Sequence, residues 1–73
     1  MIDYSPLWET MKKQNISTYQ LIEKHHFSKG TLDSLKHNRN VTLNTIDSLC
    51  QILQVPIECI VQITLNNSSN IQN

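Results

Sequence analysis

Three stretches of this 73-residue chain are built alike. Ile16-Ser17 is followed by Leu21, Phe27-Ser28 by Leu32, and Val41-Thr42 by Ile46. In each, an apolar residue precedes a hydroxyl residue, and a second apolar residue stands five positions after the first. A hydroxyl so placed accepts a hydrogen bond from a free N–H of the first helical turn, and the flanking apolar pair closes into a staple that fixes the entry angle of the chain. Ser17 also has Gln20 three residues on, the pattern of a reciprocal capping box. Helices are therefore predicted to begin after Ser17, Ser28 and Thr42. The second helix of the chain runs to about Lys24, with Tyr19, Leu21 and Ile22 as packing candidates. Only His25, His26 and Phe27 separate it from the next cap. A connection so short between two stapled helices forces a sharp crossing, as in a helix-turn-helix.

The remaining segments supply a scaffold. Ser5-Pro6 reads as a helix start, since Ser can cap and Pro loses nothing at the first helical position. Helix 1 is placed at Pro6–Lys13, with Leu7, Trp8 and Met11 on one side and Glu9, Lys12 and Lys13 opposite. Helix 3 spans Lys29–His37, and Asn38, Arg39 and Asn40 form a polar loop after it. Helix 4 runs from Leu43 to Leu53 with Ile46, Leu49, Cys50 and Leu53 as an apolar stripe. Pro56 opens a short fifth helix carrying Ile57, Ile60 and Val61. Ile63 and Leu65 alternate with Gln62, Thr64 and Asn66, which permits a short strand. Met1–Tyr4 is a lead-in, and residues 66–73 are polar and expected to be loose. The expected fold is all-α: five short helices around one small core in a single domain over residues 1–65. A chain of this length leaves too little material for a multilayered substrate cleft.

Formal net charge is zero, but the charges are not spread evenly. Between Lys24 and Arg39 stand Lys24, Lys29, Lys36 and Arg39 against Asp33 alone, while residues 40–73 carry Asp47 and Glu58 and no basic residue. A basic patch confined to one part of a chain is the footprint a phosphate backbone requires, although a solvated helix face has the same composition. No apolar run approaches a membrane span and no basic segment precedes an apolar one, so a cytoplasmic location is expected.

The outer face of helix 3 concentrates the candidate binding residues. At about 100° per residue, Leu32 and Leu35 point one way, and the opposite direction is centred on Gly30 and His37, flanked by Lys29, Asp33 and Ser34. None of these five carries a large apolar group. The face is narrow and suits the major groove, which admits one α-helix. Lys29, in the first turn, can donate to guanine O6 and N7 or hold a phosphate. Ser34 can donate or accept. Asp33 accepts from cytosine N4, is neutralised by Lys29 or His37, or makes no contact. Gly30 allows close approach of the backbone, or is simply tolerated near a helix start. Thr18 and Ser28 lie at helix N-termini, where phosphate is favoured. Thr31 completes the first-turn set, and Asn38, Arg39 and Asn40 are expected to touch the sugar-phosphate backbone.

ISTYQLIEK, SKGTLDSLK and TLNTIDSLCQILQVPIECIV together resemble the Cro/CI-type helix-turn-helix family of phage and bacterial transcription regulators, over about Leu7 to Val61. The resemblance implies a lambda-repressor-like fold of five helices, operator binding as a homodimer and transcriptional control. By position it makes Thr18 and Ser28 phosphate anchors and puts Lys29, Gly30, Asp33 and Ser34 at base contacts. Two positions depart from the family pattern: the turn often carries Gly where this chain has His26, and helix 2 often has a small residue where it has Ile22.

Other constellations carry less. Cys50 and Cys59, with the three histidines, match no zinc spacing, and both sit on apolar stripes, which predicts core thiols rather than ligands or a disulfide. His25 and His26 can titrate near neutral pH, but read as surface turn residues. Trp8 is expected to anchor helix 1 in the core. No catalytic constellation, cofactor motif or small-molecule site is evident, so the chain is not expected to be an enzyme. The competing reading is a protein-interaction adaptor or antitoxin-like module, which predicts an exposed apolar patch on helix 5 and Ile63/Leu65. Ile60, Ile63 and Leu65 are also the candidates for a dimer interface.

Overall fold

The computed structural model describes residues 1–65; the tail expected at 66–73 lies outside the described residues. Among the described residues there are four α-helices: α1 (Ser5–Gln14), α2 (Thr18–His25), α3 (Lys29–Lys36) and α4 (Leu43–Leu53). Two short strands, β1 (Ile2–Asp3) and β2 (Gln62–Ile63), pair antiparallel with Ile2 opposite Ile63 and Asp3 opposite Gln62.

All three capped starts occur where the hydroxyls place them. Gln20 N donates to Ser17 Oγ at 3.2 Å while Ser17 N donates to the Gln20 side-chain carbonyl at 2.8 Å, so the capping box is closed. Thr31 N donates to Ser28 Oγ at 3.0 Å, and Thr45 N to Thr42 Oγ1 at 3.2 Å. The inner staple residues Leu21, Leu32 and Ile46 are buried, and Ile16, Phe27 and Val41 pack half-buried against the same core. Helix α1 starts differently from expectation. Ser5 is already helical, and its N–H and hydroxyl both donate to Asp3 Oδ1, at 2.9 and 2.6 Å. The carboxylate upstream, not the Ser, satisfies the first turn.

The expected fifth helix is corrected to a single 3₁₀ turn, Ile57–Cys59. Pro56 is extended (ψ 169°), and Cys59 N and Ile60 N bond back only three residues, to Pro56 O and Ile57 O. Ile60 is then drawn fully into the core and β2 takes the chain two residues later, leaving no length for an α-helical turn to propagate. The lead-in, for which no strand was expected, becomes β1 because β2 offers it an edge.

The core is assembled from Tyr4, Leu7, Met11, Leu21, Leu32, Leu35, Ile46, Leu49, Leu53 and Ile60. Six of these side chains are fully enclosed, and each stabilises the fold by about 1.5–3 kcal/mol relative to exposure. Thr10 is the buried polar residue of α1, and its hydroxyl donates to Cys59 O at 2.9 Å, tying α1 to the 3₁₀ turn. Three expected packing roles are corrected. Tyr19 is 68% exposed, since it lies on the far side of α2 from buried Leu21. Cys50 and Cys59 are only half-buried, and Trp8 lies at the core's margin.

Each helix is closed by a residue in the left-handed region: Asn15 after α1, His26 after α2, Asn38 just past α3 and Gln54 after α4, with φ between 56° and 61°. None of the four is glycine. The only glycine in the chain, Gly30, sits inside α3 without positive φ.

Candidate nucleic-acid interface

Helix α3 is held by one face and free on the other. Leu32 and Leu35 are 4% and 0% exposed, whereas Lys29, Gly30, Asp33, Lys36 and His37 are exposed and Ser34 and Thr31 are half-buried. The exposed side predicted from the helical period is therefore the exposed side of the fold. Helix α3 ends one residue earlier than expected, with His37 as its C-cap.

A shallow cleft between α2 and α3 is lined by Thr18, Ile22, Lys29, Leu32, Asp33 and Lys36. Thr18 thus shares one surface with Lys29, at the amino end of α2, where free N–H groups favour an anion. Ile22, larger than the resemblance implied, forms part of this cleft's floor and is half-buried. Lys36 was not among the expected binding residues. It stands seven residues after Lys29 and three after Asp33, a row on one helix face, so the spacing did carry the signal.

At the first turn of α3 the hydroxyls are ordered. Ser28 Oγ accepts from Thr31 N and donates to Thr31 Oγ1 at 2.9 Å. Ser28 has thereby used its proton internally, and the hydroxyl proton left free to reach a phosphate belongs to Thr31.

Asp33 is neutralised, but by a different pair than Lys29 or His37 alone. Its Oδ2 accepts from Arg39 Nη1 at 3.3 Å, and its Oδ1 lies 3.2 Å from His37 Nδ1. His37 Nδ1 also sits 2.9 Å from Asp33 O. A carbonyl oxygen only accepts, so Nδ1 carries the proton. All three side chains are more than half exposed, so these contacts add less than about 1 kcal/mol to stability. Their effect is on the surface: the one acid of the basic segment is occupied by the Arg39 guanidinium and the His37 N–H, and the Arg39 head is held beside α3.

The loop after α3 is fastened on both sides. Arg39 N donates to Ser34 O at 2.8 Å, closing the helix end. From the lead-in, Tyr4 N donates to Asn38 Oδ1 at 2.9 Å and Tyr4 Oη donates to Arg39 O at 2.7 Å. Tyr4 is 2% exposed, and burial raises its phenol pKa, which keeps the hydroxyl a donor. Asn38, Arg39 and Asn40 are exposed as expected, but one side-chain acceptor of Asn38 is committed to Tyr4. Tyr4 gave no signal in the sequence, because its partners lie 34 and 35 residues away.

The turn explains the departure at His26. That residue is left-handed, at φ 61° and ψ 31°, and the N–H groups of His26 and Phe27 both reach Leu21 O. A glycine enters this region without steric cost, and His occupies it at some expense. His25 and His26 are both exposed, but only His26 is a turn residue; His25, expected in the turn, is the last residue of α2. Among the described residues no group of three or more His, Cys, Asp and Glu gathers to hold a metal, and no helix is long and apolar enough to cross a membrane.

No curated protein matches the chain. Among solved structures it is similar to that of the transcriptional regulator VanUg, at 25% sequence identity and a TM-score of 0.81, with 89% of this chain and 87% of that one covered. The family profile of the Cro/C1-type HTH DNA-binding domain matches residues 6–64, from the first turn of α1 to just past β2. With its capped helix pair and the free face of α3 set on this scaffold, the chain belongs to the Cro/C1-type helix-turn-helix family of DNA-binding domains.

Proposed function

We propose that the protein binds double-stranded DNA sequence-specifically, with α3 in the major groove, and acts as a transcriptional regulator. The observation that carries this reading is the outer face of α3: Lys29, Gly30, Asp33 and His37 exposed, no large apolar group among them, and Lys36 and Arg39 at the rim. In this reading Lys29, Gly30, Asp33 and Ser34 meet base edges. Thr18, Ser28, Thr31, His37, Asn38, Arg39 and Asn40 meet the sugar-phosphate backbone, with the Thr31 hydroxyl a better donor than Ser28. The likeness to a transcriptional regulator over most of both chains supports the regulatory role, and a DNA partner implies a cytoplasmic location.

One helix in one groove gives limited specificity, so the working form is a homodimer on a two-fold operator. Ile60 is removed from the proposed interface, being fully buried. Ile63 and Leu65 remain, at 65% and 79% exposure, joined by Met1, whose chain runs alongside through the Thr64 N to Met1 O bond. The same exposed groups, with Ile57, favour the second reading, an adaptor or antitoxin-like module whose partner covers them.

Selection of bound sequences from a random duplex pool tests the proposal. A defined site should emerge, with affinity falling steeply as salt rises. Lys29→Ala should change base preference, while Arg39→Ala should weaken all sequences alike and lower the salt slope by about 0.9. Enrichment of no sequence, together with salt-independent capture of a protein partner, would favour the adaptor.

A further inference from the structure

Arg39 is an exposed side chain on a short loop, and such a group ordinarily loses affinity by having to be ordered on binding. Here three contacts restrain the residue beforehand: its backbone N–H to Ser34 O, its exposed guanidinium to Asp33 Oδ2 at 3.3 Å, and its backbone carbonyl from Tyr4 Oη. The first two are local to α3 and the loop that follows it. The third comes from the opposite end of the chain. Tyr4 immediately follows β1, and its own carbonyl accepts Leu7 N at 2.9 Å in the first turn of α1, so it is tied to both β1 and α1. It grips two consecutive loop residues, Asn38 through its N–H and Arg39 through its hydroxyl. The loop turn itself is closed without Tyr4, by the left-handed Asn38 and the Arg39 N to Ser34 O bond. What Tyr4 adds is the angle at which that turn stands from the core.

We infer that Tyr4 is a positioning residue for DNA binding, a buried strut that holds the Asn38–Arg39 turn so that Arg39 is presented to the phosphate backbone beside α3. This rests on the DNA-binding reading above. Tyr4 never touches the duplex. Its hydroxyl acts through Arg39, and its ring fills the core.

The test is a double-mutant cycle of Tyr4→Phe with Arg39→Ala, in the full chain, on the best duplex from the selection, with salt titrations. Tyr4→Phe keeps the ring and deletes the hydroxyl. Binding should weaken about fivefold, the equivalent of one ordinary hydrogen bond. The salt slope should move toward that of Arg39→Ala, and base preference should not change. With Arg39→Ala already present, Tyr4→Phe should cost less than about twofold, since coupled groups do not add. A change in folding stability alone leaves the salt slope where it was. Equal losses in both backgrounds, or weaker binding at an unchanged slope, would overturn the strut. So would full affinity in Tyr4→Phe. Absence of duplex binding by the unaltered chain would overturn the function and the strut together, whereas binding by that chain with no coupling would remove only the strut. If Tyr4→Phe melts below the assay temperature, the same cycle is run in a His26→Gly background, which alters an exposed turn position outside the interface.

Discussion

Gly30→Ala separates what the fold wants from what the interface wants. Gly30 is the second residue of α3, and a Cβ built there meets only Ser28 Oγ at 3.9 Å, an ordinary contact distance. The backbone is not in the positive-φ region, so nothing in the fold requires glycine. Alanine in a helix interior is about 0.8–1.0 kcal/mol better than glycine, and at this second position about half to all of that should be realised. A domain of this size gains about 4–8 °C in melting temperature per kcal/mol, so a rise of about 2–8 °C is expected in thermal melts followed by circular dichroism. The new methyl stands on the exposed face of α3. If that face lies against the duplex, an extra carbon in a packed interface costs about 1–3 kcal/mol, which is at least about fivefold in affinity by fluorescence anisotropy. Stability and affinity should therefore move in opposite directions. A lower melting temperature would show that Gly30 is needed by the fold, and undiminished affinity would show that this face does not approach DNA closely.

His26→Gly should stabilise the domain by about 0.5–1 kcal/mol, seen as a higher urea midpoint at unchanged slope, because His26 is left-handed where glycine is unstrained and the greater freedom of glycine in the unfolded chain offsets part of the gain. The Asp3 carboxyl is held below the usual carboxylate range, first by the Ser5 hydroxyl and then by the Gln62 side chain. Its contribution is therefore present above the unfolded carboxylate pKa of about 3.9 and is lost as pH falls through the lower folded value. Melting temperature should drop below about pH 4, and Asp3→Asn should flatten that acid limb; an equally steep limb in the variant would assign the loss to other groups.

Much of this protein was legible before any tertiary contact was known, and the legible part is local. A Ser or Thr hydroxyl reaches a backbone N–H three residues away whatever the rest of the chain does, so Ser17, Ser28 and Thr42 set the starts of α2, α3 and α4 by themselves. The helical period then sorts Leu32 and Leu35 from Lys29, Gly30 and Asp33, which is why the buried and exposed sides of α3 are readable from the sequence. The same period could also have placed Lys36 beside Lys29 and Asp33.

What the sequence left open depends on partners far along the chain. Tyr4 reads as a lead-in residue until the fold brings it 2.7 Å from Arg39 O. Ile60 reads as surface apolar material until α1, α4 and the 3₁₀ turn close around it, and that turn cannot lengthen into a helix because β2 must reach Ile2 and Asp3. Asp33 could have chosen among several cations, and the loop geometry that decides for Arg39 and His37 exists only once Asn38 has turned left-handed and been pinned from the other end. Capping and periodicity are settled within a few residues by steric and hydrogen-bond rules; register, burial and the aim of a long side chain are settled only when distant segments compete for the same space.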